Sequence, residues 1–414
     1  MREVYISSPF YITGWQKIND SNMNFFDDTP SPDLIKKYAP AKWAALSEGV
    51  IPLFAADPDF QSAPEIREAI ASAGSDGVFS YGESYGNRAL LEVISNTVRS
   101  RKRIPCRPDD IMVTSGVAQA MMLVARYACN PGDEAIIFDP VDFLFGRAVD
   151  EAGAKRLISP IDKESRELDF EGLQRLVTPK TRLLCVCNPH NPLGRVFRRD
   201  ELVDIAEFAV NNNLTVMCDE IWSDIIYDGR EFISLASINS EIAGRTITLH
   251  GFSKTFGLAG LNLGYAVATN PEVMKGLKLV APGYFYVVNS VSQIAGIAAY
   301  TKAWYWADAF LTHLQGIRDY AYDRLIEMQD VSCQKPEGTY VLFPDISSFG
   351  MTSEEMTSYL RREARVGVVP GHGKDFSYFG PGAEGNIRIV FSTTKANIVE
   401  AMDRIEKGLR KLQM

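Results

Sequence analysis

Short apolar runs recur along the first two thirds of the chain, at Asp110–Thr114, Ala135–Asp139, Arg182–Cys187, Leu214–Cys218 and Thr246–Leu249. Within the third, Leu183-Leu184-Cys185-Val186-Cys187 is apolar at every position, a pattern that suits a strand only when both of its faces are buried. Between these runs, Pro64–Ser72, Asn87–Arg103, Gln119–Cys129 and Asp200–Asn211 carry helical periodicity, with Pro64 in the first-turn position that proline tolerates. Strands alternating with amphipathic helices predict an α/β fold, a mostly parallel sheet covered by helices on both faces. In such a sheet, ligands lie beyond the carboxyl ends of the strands, so the loops after those runs are where chemistry belongs.

A chain of 414 residues exceeds what one core supports, and its texture changes near residue 296. Beyond it come a long helix at Ala299–Asp330, a strand-like Gly338–Phe343, a helix at Ser353–Glu363, a strand-like Ile387–Phe391 and a terminal helix at Lys395–Leu412. The expected organisation is an N-terminal arm over 1–50, a large ligand-binding domain over 51–295 and a smaller α+β domain over 296–414. The arm is broken by Pro30, Pro32 and Pro40, with Trp15 and Trp43 as its anchors.

The net charge of -9 excludes a broad basic surface for nucleic acid, and Arg99, Arg101, Lys102 and Arg103 read as a solvated helix end. Six cysteines without CxxC spacing read as buried thiols of a reducing compartment, and four histidines without ligand spacing argue against a metal. The N-terminus has no continuous apolar leader and no stretch of 18 apolar residues exists, so the expected location is the cytoplasm, with no membrane partner.

Four loops carry chemistry. In Thr114-Ser115-Gly116-Val117-Ala118, small residues open a helix, whose amides and dipole make a seat for phosphate; an ordinary packing turn is the alternative. In Asn188-Pro189-His190-Asn191-Pro192, the prolines stiffen the chain and present the Asn191 amide as a donor to an anionic oxygen. Asp219, after an apolar strand, needs a cationic partner or a helix to cap. Lys254, between the run ending at Leu249 and a Gly-rich turn, is placed as an amine nucleophile. Amine, acid, amide and phosphate seat together suit pyridoxal 5′-phosphate.

With these residues in place the chain resembles, over essentially its whole length, the fold type I pyridoxal-phosphate enzymes of the aspartate aminotransferase superfamily. The resemblance rests on NPHNPLG, DE and SK at their spacing. Within the superfamily it is similar to the cystathionine β-lyase and cysteine-conjugate β-lyase branch called MalY/PatB, through Lys42-Trp43, PLFAADPDF, CNPHNPLGRVF, DEIWSD and SKTFGLAGLN. The resemblance implies a seven-stranded sheet, a homodimer and an amino-acid substrate. It implies that Lys254 links to the cofactor aldehyde, Asp219 partners the ring nitrogen and Asn191 the phenolic oxygen. It further implies that Val117 and Ala118 amides with Ser253 hold the phosphate and that Trp222 lies at the cofactor. Tyr81 would reach the phosphate of the neighbouring subunit, and Arg388, with Asn191, would hold the substrate carboxylate.

Some positions depart from the pattern. Trp222 stands where many aminotransferases have tyrosine, Asn262 where most have arginine, and Gly251 where a phosphate-binding hydroxyl is common. The ungapped match puts Asp142 where the branch has the tyrosine that stacks on the cofactor ring; a one-residue shift would bring Phe143 there instead. The lost phosphate ligands favour a carbon–sulfur β-lyase that releases thiol, pyruvate and ammonia, with an aminotransferase, a decarboxylating or tailoring enzyme, or a non-catalytic regulator as alternatives.

Overall fold

The computed structural model describes residues 25–26, 30–281 and 288–413. Trp15 and Tyr284–Val287 lie outside the described residues. In chain order the strands are β1 (Ile51–Pro52), β2 (Ile111–Thr114), β3 (Glu134–Asp139), β4 (Lys155–Pro160), β5 (Thr181–Cys187) and β6 (Thr215–Asp219). They continue as β7 (Thr246–Gly251), β8 (Gly264–Val267), β9 (Val341–Leu342), β10 (Val366–Gly367), β11 (Val369–Pro370) and β12 (Ile387–Val390). Seven of them form one sheet in the order β2-β8-β7-β6-β5-β3-β4. β8 alone runs against its neighbours, and the pairs among β4, β3, β5, β6 and β7 are parallel. The five predicted strands are all present.

The faces follow from residue parity. Leu183, Cys185, Met217, Ile247 and Leu249 point to a core shared with the helices Val117–Ala128, Phe143–Glu151 and Pro271–Val280. Leu184, Val186 and Val216 point to the opposite core, with Leu202, Ile205 and Phe208 of the helix Arg199–Asn211. β4 escapes sequence reasoning because it is an edge strand whose Lys155, Arg156 and Pro160 are exposed, so no apolar run marks it. β8 is hidden because its glycine start looks like part of the preceding Gly-rich turn.

In the C-terminal part, β11-β12-β9 form a small antiparallel sheet. β1 pairs in parallel with β10, and Leu53 is bonded on both sides, its N–H donating to Gly367 O at 2.7 Å and its carbonyl accepting from Val390 N at 2.8 Å. This crossing delivers residues 54–57 to the open end of the large sheet. The expected single helix from Ala299 is instead two, Ser290–Lys302 and Trp304–Ile326, broken at Ala303 where φ is -110°. No proline or glycine marks that break. The Trp304 indole N–H donates to Tyr300 O at 2.9 Å and its ring stacks on Tyr300 at 5.5 Å, so side-chain packing holds the corner. The basic helix end is also not simply solvated: Lys102 is buried and paired with Asp224 at 2.6 Å. Among the described residues no helix is long and apolar enough to cross a membrane.

Candidate active site

β2, β5, β6 and β7 all end at one side of the large sheet, and a cavity of ≈ 320 Å³ opens there. Its wall includes Ala56, Ser115, Gly116, Val117, Ala118, Asp142, Leu144, Asn191, Asp219, Trp222, Ser253, Lys254, Asn262 and Arg388.

One wall is the start of the helix Val117–Ala128, whose N-cap Gly116 (φ 86°) supplies no side-chain bond to the first-turn amides. An uncapped N-terminus of a 12-residue helix is a seat for an anion. Gly264 makes this turn possible: a Cβ there would stand 2.7 Å from Gly116 C and 2.8 Å from Val117 N. Among the described lining residues no lysine or arginine other than Lys254 and Arg388 faces the cavity, so the amides, Ser115, Ser253 and Asn262 give this end a neutral character. Asn262 takes the left-handed conformation (φ 48°), which asparagine tolerates better than most residues.

Lys254 Nζ donates to Ala56 O at 2.7 Å and lies 5.0 Å from the centre of the Trp222 ring. Burial pulls its pKa from the usual 10.5 down to about 8, opposed by the negative charge of Asp57 and lowered further by Arg388. Asp219 Oδ1 accepts from Ile221 N at 3.1 Å, and burial raises its pKa to about 7. Trp222 packs edge-on against Tyr340 at 4.5 Å, and the Tyr340 hydroxyl donates to the same Ala56 carbonyl at 3.0 Å. Lys102 and Asp224 lie behind: Asp224 Oδ2 accepts from Thr255 Oγ1 at 3.1 Å, beside the lysine.

Arg388, on β12, enters from the C-terminal part. Its Nη2 donates to Phe54 O at 3.0 Å, its Nη1 to Asn191 Oδ1 at 3.2 Å, and its Nε is buried without a partner. Asn191 Nδ2 donates in turn to Asp142 Oδ2 at 2.9 Å.

The structure therefore brings Lys254, Asp219, Asn191, Val117, Ala118, Trp222, Ser253 and Arg388 to one cavity. It does not bring Phe143. The Phe143 N–H donates to Tyr378 O at 3.0 Å and its ring packs edge-on against Phe376 at 5.0 Å, while Asp142 and Leu144 take the cavity wall. Tyr81 is 95% exposed and is not among the residues that line the cavity; exposed Phe79 stands two residues before it. Sequence reasoning missed Ala56, Asp57 and Tyr340. The motif that contains the first two has a second use, because Lys42 pairs with Asp59 at 2.9 Å and Trp43 Nε1 donates to Asp59 Oδ1 at 2.7 Å. Lys42 also donates to Asp57 O at 2.7 Å. Lys42-Trp43 and ADPDF are thus two halves of a clasp that holds Ala56 over Lys254.

A ligand suited to this cavity carries a phosphate for the amides, a protonatable ring nitrogen for a buried carboxylate and an aldehyde for an amine of lowered pKa. Pyridoxal 5′-phosphate has all three, and the α/β fold with this site defines the class of pyridoxal-phosphate enzymes. The chain belongs to the family described as Aminotransferase class I and II, whose model matches residues 46–405, and its cofactor is pyridoxal 5′-phosphate. It is 33% identical over 374 residues to an aspartate aminotransferase of Pyrococcus abyssi, spanning 90% of this chain and 94% of that protein. It is 28% identical over 366 residues to the cystathionine beta-lyase PatB of Bacillus subtilis, spanning 87% and 92%. The PLP-bound putative aminotransferase from Clostridium difficile superposes with a TM-score of 0.84 at 28% identity, over 94% of this chain and 100% of that one.

Proposed function

We propose that the chain is an amino-acid aminotransferase, working as a homodimer in the cytoplasm. The observation that carries this reading is the convergence of Lys254, Asp219 and Arg388, from three separate elements, on one cavity. When bound, pyridoxal phosphate supplies an electron sink for bond breaking at the substrate Cα. Lys254 would hold the cofactor and move the proton at the substrate Cα; a pKa near 8 suits an amine that must both accept and return it. Asp219 keeps a proton on the ring nitrogen, and Asn191 donates to the phenolic oxygen. The Val117 and Ala118 amides with Ser253 hold the phosphate, while Trp222 closes one side of the site. Arg388, with one nitrogen still unpartnered, binds the substrate carboxylate, assisted by Asn191.

Transamination is favoured by the similarity to the aspartate aminotransferase, which exceeds that to the lyase. The dimer is supported by Val78, Phe79 and Tyr81, three exposed apolar side chains on one segment, and in that dimer Tyr81 would reach a partner's phosphate. Free cysteines, most of them buried, fit a reducing cytoplasm.

A second reading, a carbon–sulfur β-lyase, is supported by the likeness to PatB and by Asn262 in place of an arginine and Gly251 in place of a hydroxyl, which leave the phosphate end with fewer side-chain ligands. One experiment separates the two. The loaded protein is mixed with single amino acids, S-substituted cysteines among them, and no keto acid. An aminotransferase converts its cofactor to the amine form and releases one keto acid per site. Repeated release of thiol, pyruvate and ammonia in equal amounts would replace the proposal with the lyase.

A further inference from the structure

Asp142 stands in the cavity wall, where the family resemblance leads one to expect an aromatic ring. It is fixed from behind. As N-cap of the helix Phe143–Glu151 it accepts from Leu144 N through Oδ1 at 3.1 Å, which leaves Oδ2 pointed at Asn191 Nδ2, 2.9 Å away. The other end of that amide accepts from Arg388 Nη1 at 3.2 Å. A continuous chain therefore runs from a helix N-terminus through Asp142 and Asn191 to a guanidinium whose Nε is buried and unpartnered.

A primary amide is nearly symmetric in shape, so only its partners decide which end is oxygen. Here a donor-only group faces one end and an acceptor the other, so the amide has one satisfied orientation. Asn191 Nδ2 carries two hydrogens; Asp142 takes one, which leaves the second for an anionic oxygen in the cavity. The carboxylate also adds charge. The ionisable groups around Lys254 are Asp57, Asp142, Asp219 and Arg388, and those around Asp142 are Arg388, Lys254, Asp219 and Cys187. Burial raises the Asp142 pKa, opposed by Arg388, the Leu144 amide and Asn191, which favour the ionised form.

We infer that Asp142 is a positioning residue that orients the Asn191 amide, steadies Arg388 through it for the substrate carboxylate, and places a negative charge that favours the protonated nitrogen at Lys254. This rests on the reading of Lys254 and Arg388 given above, and holds whether the reaction is transfer or elimination.

The test uses the loaded protein and needs no turnover. Cofactor attachment at Lys254 is first established by borohydride reduction and peptide mapping; a label elsewhere sinks the underlying reading and this one with it. Two quantities are then measured in wild type, Asp142→Asn and Asp142→Leu: the affinity for 3-phenylpropionate, and the pH midpoint of the cofactor's visible band. Asp142→Leu removes the acceptor and should weaken the carboxylate about tenfold, the size of one charge-assisted hydrogen bond. Asp142→Asn keeps the shape but has one acceptor oxygen where two are used, so it retains either the Leu144 cap or the Asn191 contact; in either case it should bind the carboxylate no more weakly than Asp142→Leu, yet lower the pH midpoint by about one unit, because an anion near a cationic nitrogen is gone. A midpoint unmoved in Asp142→Asn together with undiminished carboxylate affinity in Asp142→Leu overturns the inference. A loss of melting temperature alone would leave Asp142 as nothing more than a helix cap.

Discussion

Lys254 illustrates how far one residue's chemistry is set by what surrounds it. An exposed lysine is almost entirely protonated at neutral pH, whereas burial here brings the pKa to about 8. Because the neutral amine is the nucleophile, the rate at which pyridoxal phosphate condenses with the unloaded protein should rise with pH up to about 8 and level off above it, followed by stopped-flow absorbance. Lys254→Ala should abolish covalent attachment and lower turnover by roughly 10³-fold, the scale of a lost proton-transfer group. Arg388 makes a different prediction. Its fork reaches Phe54 O and Asn191 Oδ1 at once, a geometry that a lysine ammonium cannot copy. Arg388→Lys should raise KM for amino acids by about 10² while leaving the cofactor affinity within about twofold, measured by steady-state kinetics and equilibrium dialysis. Lys254 and Asp219 were legible because each follows an apolar run, and a charge at the end of such a strand is conspicuous. Ala56 was not legible, since its contribution is a backbone carbonyl, which every residue type possesses.

At the scale of elements, strand parity and helix capping decide which side chains reach the cavity. β5 could be read because nearly all of it, on both faces, is buried and apolar; β4 could not, because this edge strand is exposed along most of its length, Lys155 and Arg156 side by side. The contrast between Asp142 and Phe143 has the same kind of cause. The cap bond from Leu144 fixes the phase of the helix, and the bond from Phe143 N to Tyr378 O turns the phenyl ring toward Phe376. Gly264 tests the packing of β8 against the Gly116–Val117 turn. Gly264→Ala would force a methyl against backbone at 2.7 Å, and backbone cannot rotate away as a side chain can. Its expected cost is about 1–3 kcal/mol of stability, read by denaturant unfolding, with a weakened affinity for pyridoxal phosphate because the turn that moves is the proposed phosphate seat. Unchanged cofactor affinity in a destabilised Gly264→Ala would separate that turn from the phosphate.

At the scale of the whole molecule, the exposed aromatic segment at Val78–Tyr81 is the feature a single chain leaves unexplained. Phe79→Asp places a charge on that patch and should shift the protein from dimer to monomer in sedimentation analysis, with cofactor affinity falling in parallel if Tyr81 serves a partner's site. A dimer that persists unchanged would move the interface elsewhere. The sequence by itself determined the mostly parallel sheet, the order of its strand-end loops and the lysine, aspartate and asparagine that stand in them, because these depend on local apolar pattern and turn chemistry. Only the tertiary structure decided that Ala56 and Arg388, 198 residues before and well over a hundred after Lys254, would close on the same cavity, and that Asp142 would face into it. Those placements come from the β1–β10 pairing, the Lys42–Asp59 clasp and one helix cap, contacts between distant segments whose energies depend on geometry that no local pattern records.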